Sequence, residues 1–124
     1  MIHLDTNFLI NAIRGGTRED RRLRRWVTDD VLGLSSIAWT EFLCGPVSTR
    51  EVRIAATLCG PPVEFGLPDA ELAAELYTAT GRRRGSLTDC MIAAAALNAG
   101  AAIATNNVAD FARFASYGLM VEKP

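Results

Sequence analysis

The stretch Met1–Ile10, MIHLDTNFLI, decides how the rest of the chain is read. Met1-Ile2-His3-Leu4 is a short, largely apolar run; Asp5-Thr6-Asn7 interrupts it, and Phe8-Leu9-Ile10 resumes it. A buried strand handing over to a helix has this pattern, because the residues at the junction accept hydrogen bonds from the free N–H groups of the helix start. Asp5 then stands at the carboxyl end of a first strand. Capping alone accounts for an aspartate there, so the deciding question is whether other carboxylates reach the same place.

Working outward, residues 1–5 predict a strand and 7–14 a short helix ended by Gly15-Gly16. TREDRRLRRWVTDD predicts a helix with Thr17 as N-cap, Glu19 and Asp20 in its first turn, and Leu23, Trp26 and Val27 as its buried stripe. Val31 to Ser35 fits a second strand. Ser36 introduces the helix IAWTEFLCG, stopped by Gly45-Pro46, and Ser48 or Thr49 caps the next, with Val52, Ala55, Ala56 and Cys59 on one stripe. VEFGL fits a third short strand or an extended crossing, and Pro68 opens a helix carrying Leu72, Leu76 and Ala79. GRRRGSLT predicts a surface loop, Leu87 to Asn98 an alanine-rich helix, Ala101 to Thr105 a buried strand, Asn106 to Ala109 a polar loop, and Gly118 to Val121 an edge strand.

Strands separated by helical segments of this length predict an α/β fold, a mostly parallel central sheet with helices on both faces, as one domain over residues 1–124. Sheets of this kind present ligand groups at the carboxyl ends of their strands. Asp5 lies at one such end; Asn106, Asn107 and Asp110 follow another.

Composition narrows the class. With 124 residues, 49% of them hydrophobic and 22% charged, the chain is long enough for a core without metals or disulfides as staples. Its longest uncharged run, Cys90 to Asn107, is broken by Asn98, Gly100 and Asn106 and makes a poor membrane span. With no basic flank and apolar signal core at the N-terminus, the expected compartment is the cytoplasm. Cys44, Cys59 and Cys90 are far apart and His3 is the only histidine, which argues against zinc and predicts three buried thiols. The formal charge of −1 conceals arginine clusters: Arg14, Arg18, Arg21, Arg22, Arg24 and Arg25, then Arg82-Arg83-Arg84.

Three further acids have unusual surroundings. Glu41 lies among Ala38, Trp39, Phe42 and Leu43, a costly neighbourhood for a carboxylate without compensation. Asp89 immediately precedes Cys90-Met91-Ile92-Ala93-Ala94, with Ser86 and Thr88 offering rival capping groups, and Asp110 follows the late strand. Glu19, Asp20, Asp29, Asp30, Glu51, Glu71 and Glu75 have the positions of ordinary surface acids. If Asp5, Glu41, Asp89 and Asp110 converge, their repulsion calls for a hard divalent cation such as Mg²⁺ or Mn²⁺.

The segments LDTNFLI, SSIAWTEFLCG, LTDCMIAAAAL and ATNNVADF, in this order and spacing, resemble PIN-domain proteins, specifically the VapC-type ribonuclease toxins of type II toxin–antitoxin systems. The resemblance spans essentially the whole chain. It implies a PIN-like three-layer α/β/α fold and a metal site of Asp5, Glu41 and Asp89. The fourth position stays open between Asn107 and Asp110, with direct, water-mediated or weak metal contact for Asp110. Thr6, Asn7 and Thr105 match positions that support the acids or their water. The resemblance further implies an Mg²⁺-dependent endoribonuclease, with Mn²⁺ as substitute, an RNA substrate, a cognate antitoxin and a homodimer.

The residues themselves exclude rivals. Asp5-Thr6-Asn7 lacks the Asp-x-Asp of haloacid-dehalogenase-like phosphatases, and no P-loop or nucleophile–histidine arrangement is present. Metal-assisted phosphodiester hydrolysis needs little beyond clustered carboxylates. Arg82, Arg83 and Arg84, near Asp89 in sequence, suit RNA phosphates, with Arg21, Arg22, Arg24 and Arg25 as a second contact surface or a solvated helix face. DNA cleavage and a non-catalytic module binding RNA or protein remain the alternatives.

Overall fold

The computed structural model describes every residue from Met1 to Pro124. Its elements run β1 (Ile2–Leu4), α1 (Thr6–Ile13), α2 (Arg18–Asp29), β2 (Leu32–Gly33), α3 (Ser36–Cys44), α4 (Thr49–Cys59), α5 (Leu67–Ala79), α6 (Leu87–Asn98), β3 (Ala102–Ala104), α7 (Val108–Ala112) and β4 (Val121–Glu122). The sheet order is β2-β1-β3-β4 and all three strand pairings are parallel. Helices flank this sheet in an α/β/α arrangement.

The strands are only two or three residues long, yet they place the core. Ile2, Leu4, Ile103 and Ala104 are buried and join Phe8, Leu9, Leu34, Phe42, Leu76, Ile92, Phe111 and Phe114 in one cluster of 26 buried residues. Burying each of the larger side chains contributes roughly 1.5–3 kcal/mol before the entropy of ordering the chain is counted. Alanines make α6 narrow: Ala93, Ala94, Ala95 and Ala96 are all buried, which lets it pack closely along α5.

Chain direction creates a crevice. From β1 the chain leaves toward β2, whereas from β3 it leaves toward β4, on the opposite side. The carboxyl ends of the neighbouring β1 and β3 are therefore a topological switch point, where connections part and leave room for a ligand.

Local chemistry shifts several expected boundaries. The α3 cap is Ser35, whose hydroxyl accepts from the Ala38 N–H at 3.1 Å; Ser36 is already helical, and its hydroxyl accepts from Phe65 at 3.2 Å. VEFGL is an extended crossing that pairs with the sheet only at Val63, opposite Ser35. Ser48 caps α4 reciprocally with Glu51. The polar loop after β3 ends early because α7 begins at Val108, and the edge strand starts at Val121, after Gly118 has turned the chain.

Cys59 and Cys90 are buried, the Cys59 thiol being pushed up to about 11 by burial, but Cys44, at the end of α3, is exposed. Glu19 and Asp20 are buried at the start of α2, contrary to the surface expected of them. Asp20 earns that position by accepting from the Gly16 N–H at 3.0 Å and from Arg24 at 3.0 Å. No helix is long and apolar enough to cross a membrane.

Candidate active site

Register sets Asp5 beside Thr105. Leu4 lies opposite Ala104 in the β1–β3 pair, and the Asp5 N–H donates to the Ala104 carbonyl at 2.9 Å, so both chains leave the sheet abreast. Thr105 Oγ1 then donates to Asp5 Oδ2 at 2.8 Å, and the Thr6 N–H donates to Oδ1 at 2.9 Å. Asp5 is thus the N-cap of α1 and something more, since its two oxygens keep lone pairs beyond these bonds. Burial pushes its carboxyl above the usual range, and the two hydrogen bonds pull it back.

Thr6 carries the connection to α3. Its hydroxyl lies 3.0 Å from Glu41 Oε1 and 3.2 Å from the Ala38 carbonyl, so its one hydrogen is shared between two acceptors. Glu41 is exposed at the mouth of the crevice and not enclosed by Trp39, Phe42 and Leu43. The reason is helical rotation: Ala38 and Phe42, four apart, take the inward face and turn Glu41 outward. Even there, its carboxyl is raised by burial, with Thr6 lowering it and Asp5 raising it.

Asp89 occupies the first turn of α6, whose N-cap residue Ser86 has helical instead of extended backbone and makes no side-chain cap; its hydroxyl donates to the Arg83 carbonyl at 2.7 Å. The Asp89 carboxyl is pushed up to about 6, first by burial and then by Asp5 and Asp110, with Arg113 opposing and Glu41 adding to the rise. Asp5 at the cap of α1, Glu41 on α3 and Asp110 on α7 thus all act electrostatically on Asp89 of α6.

Asp89 and Asp110 line a cleft of about 150 Å³ together with Arg83, Arg84, Gly85, Ser86 and Arg113, and none of its lining residues is hydrophobic. Asn107 meets the site through its backbone: its N–H donates to Thr105 Oγ1 at 2.9 Å while its side chain is exposed. Asn7 is exposed and its amide makes no hydrogen bond to the four acids. A larger apolar cavity of about 520 Å³, between Ala12, Ile13, Leu23, Val27, Ile54 and Leu58, shares no residue with this group and lacks its chemistry.

The two arginine clusters differ. Arg82, Arg83 and Arg84 are exposed and form no salt bridge, in a turn where Arg82 takes φ 51°. In the early cluster, Arg14, Arg18 and Arg24 pair with Glu51, Glu19 and Asp20, and Arg22 lies against Trp26 and the Lys123 carbonyl. Most of that cluster is occupied within the fold. Arg113 is a lining residue that charge clustering along the sequence does not reveal; its only signal there is a place three after Asp110, one helical turn on.

The donor set suits a hard divalent ion, since carboxylate oxygens are the ligands Mg²⁺ and Mn²⁺ prefer. No three Asp, Glu, His or Cys side chains are drawn into a closed ligand group. Mg²⁺ does not demand one: it keeps several waters and takes one or two carboxylates directly.

A parallel α/β/α domain with acids gathered where β1 and β3 end defines the class of this molecule. Residues 2–117 match the PIN domain, and the chain belongs to that family. Its fold is similar to solved structures of VapBC2 from Rickettsia felis bound to a promoter DNA fragment, at TM-score 0.80 and 22% identity, covering 100% of this chain and 99% of that one. DNA-bound VapBC from Salmonella typhimurium matches at TM-score 0.73 and 22% identity, covering 98% and 96%. VapBC-1 from nontypeable Haemophilus influenzae matches at TM-score 0.73 and 22% identity, covering 99% and 98%. No curated protein matches the sequence.

Proposed function

We propose that the chain is a metal-dependent endoribonuclease, using Mg²⁺ or Mn²⁺ to hydrolyse RNA phosphodiester bonds, and the toxin of a toxin–antitoxin pair. The observation that carries this reading is the linkage of Asp5 to Thr105 and of Thr6 to Glu41, within the electrostatic reach of Asp89 and Asp110, in a PIN domain.

Asp5, Glu41 and Asp89 are the carboxylates that would hold the cation, with Asp110 contributing directly or through water. A divalent ion supplies charge to polarise the phosphate, lower the pKa of an attacking water and stabilise the leaving oxygen. The chain's own groups prepare for it. Thr105 and the Thr6 N–H hold the Asp5 carboxylate in one orientation, and Thr6 fixes Glu41 relative to it. Asp89, raised to about 6, is ionised for the most part at neutral pH while repelled by its neighbours, a state that a cation relieves. Arg83 and Arg84 at the cleft offset the acidic charge toward an incoming phosphate backbone.

The toxin part of the proposal draws support from family membership and from a fold like those of VapBC, FitAB and a toxin–antitoxin complex from Klebsiella pneumoniae. An antitoxin covering the acidic cleft would meet it with a basic side chain. Leu43 and Cys44, exposed at the end of α3, are apolar surface that homodimer formation would cover. Incubating the chain with single-stranded RNA, structured RNA and DNA under Mg²⁺ or Mn²⁺ tests the reaction. RNA cleavage is expected. Cleavage of DNA alone, or metal-independent binding without cleavage, would replace this reading with one of its alternatives.

A further inference from the structure

Arg113 is the one cation of the cleft that is held in place before any ligand arrives. Its Nε donates to the Asp110 carbonyl at 2.7 Å, and its guanidinium lies 5.0 Å from the centroid of the fully buried Phe114 ring. Nη1 is buried yet has no hydrogen-bond partner. Although Asp89 and Asp110 line the same cleft, Arg113 forms no salt bridge with either.

Nη1 has no surface of its own to meet a ligand, so what a ligand meets is the cleft-lining remainder of this half-buried side chain, already oriented by the Asp110 carbonyl and the Phe114 ring. We infer that this lining group receives a phosphate oxygen of the nucleic-acid backbone, and that Arg113 positions the substrate strand against the carboxylates. This rests on the nuclease reading above and adds to it the residue that receives the phosphate. Guanidinium geometry favours the assignment: a planar group with several N–H donors matches phosphate, and here Nε alone is spent, on the Asp110 carbonyl. The surroundings favour it too. Arg83 and Arg84 line the same non-hydrophobic cleft and are exposed without carboxylate partners, so three cations stand beside two acids where a polyanion must approach a metal site. Asp110 connects the two functions, since its carbonyl anchors the arginine and its carboxyl belongs to the acidic group.

A purely structural arginine would brace the end of α7, where positive charge favours the helix dipole, and would do nothing more. Binding separates the two roles. In an Asp5→Asn background, in which turnover is expected to stop, anisotropy of a fluorescein-labelled single-stranded RNA is measured against salt for Arg113, Arg113→Lys and Arg113→Gln. Thermal melting by circular dichroism accompanies each, and cleavage kinetics are measured in the Asp5 protein. Arg113→Gln is expected to weaken RNA binding about tenfold and flatten its salt dependence by about one phosphate contact. Arg113→Lys should restore the salt dependence but only part of the affinity, because the ammonium lacks the fork. In turnover, the Gln variant should raise KM more than it lowers kcat. Unchanged affinity and salt dependence in Arg113→Gln, with cleavage by the wild type intact, would overturn the inference alone and leave the nuclease reading standing. A wild type that neither binds nor cleaves RNA would overturn both.

Discussion

Thr105 Oγ1 donates to Asp5 Oδ2 at 2.8 Å across 100 residues of sequence, and the same hydroxyl accepts from the Asn107 N–H at 2.9 Å. One side chain thereby ties the end of β3, the loop before α7 and the end of β1 to a single buried carboxylate. A threonine hydroxyl offers one hydrogen and two lone pairs, so both bonds are satisfied at once.

Thr105→Val keeps the branched shape and removes that hydroxyl. Asp5 then retains only the Thr6 N–H, and the Asn107 N–H loses its acceptor. Cleavage is expected to fall about 10–100-fold, the usual effect of removing a group that orients a metal ligand. Melting should drop by an amount corresponding to about 1–3 kcal/mol. Unaltered cleavage kinetics in folded Thr105→Val would show that this bond does not position Asp5 for the reaction.

Divalent cations should raise the melting temperature of metal-free protein more at pH 7.5 than at pH 5. Asp5, Glu41 and Asp89 have raised carboxyl pKa values, Asp89 to about 6, so the folded state holds protons there that the unfolded state has released. Their ionisation destabilises the metal-free fold as pH rises, for Asp89 up to about 6, and it is this repulsion that a cation relieves. Below about 6 Asp89 is mostly protonated and a cation must displace its proton. His3 acts in the opposite sense: burial holds its pKa below 6.5, so stability is lost as pH falls under 6.5 and the unfolded chain gains a proton. Equal cation-induced shifts at the two pH values would contradict the acidic cluster as the binding site.

Asp89→Asn should reduce cleavage more than Asp110→Asn. Asp89 feels Asp5, Asp110 and Glu41 together, whereas Asp110 is carried on a five-residue helix whose loop offers Asn107 as a rival polar group. Rate constants under saturating Mg²⁺, with folding checked by circular dichroism, decide this. Equal losses would make Asp110 a full member of the ligand set.

Phe111→Ala should damage function through structure. Phe111 is fully buried and anchors α7, which carries Asp110 and leads into Arg113. Truncation is expected to cost about 3–5 kcal/mol in denaturant unfolding and to depress cleavage even where the protein stays folded. A cost below about 1 kcal/mol would mean that the cavity collapses without moving the helix.

What the sequence revealed of the site depended on how each residue is placed. Asp5 and Asp110 were legible because strand ends are marked by the switch from apolar runs to polar residues, and the alternation of strands with helices says which edge those ends share. Glu41 was legible as an acid in an apolar helix, but its exposure was not: a linear run of Ala38, Trp39, Phe42 and Leu43 does not say which face turns inward. Ser35 and Ser36 offered the same hydroxyl, and only the crossing at Phe65 gives the second one a different partner. The strands are shorter than their apolar runs because tertiary pairing, not propensity, ends them; Val63 pairs at one point alone. Arg113 escaped notice because its partners are a backbone carbonyl and a ring face, neither of which leaves a mark in charge patterning.

The direct measurement is cleavage of single-stranded RNA by wild type and Asp5→Asn, both shown folded by circular dichroism, with Mg²⁺, with Mn²⁺ and with the metal chelated. Asparagine keeps the size of Asp5 but supplies one neutral oxygen where two shared a charge, at the residue that Thr105 and Thr6 hold in place. The wild type should cut RNA only when a divalent ion is present, and Asp5→Asn should lose that activity while staying folded, the removed repulsion offsetting the hydrogen bond weakened at one of its two oxygens. Wild-type rates from folded Asp5→Asn, or cleavage that persists in chelator, would contradict a carboxylate-held metal as the basis of this protein's function.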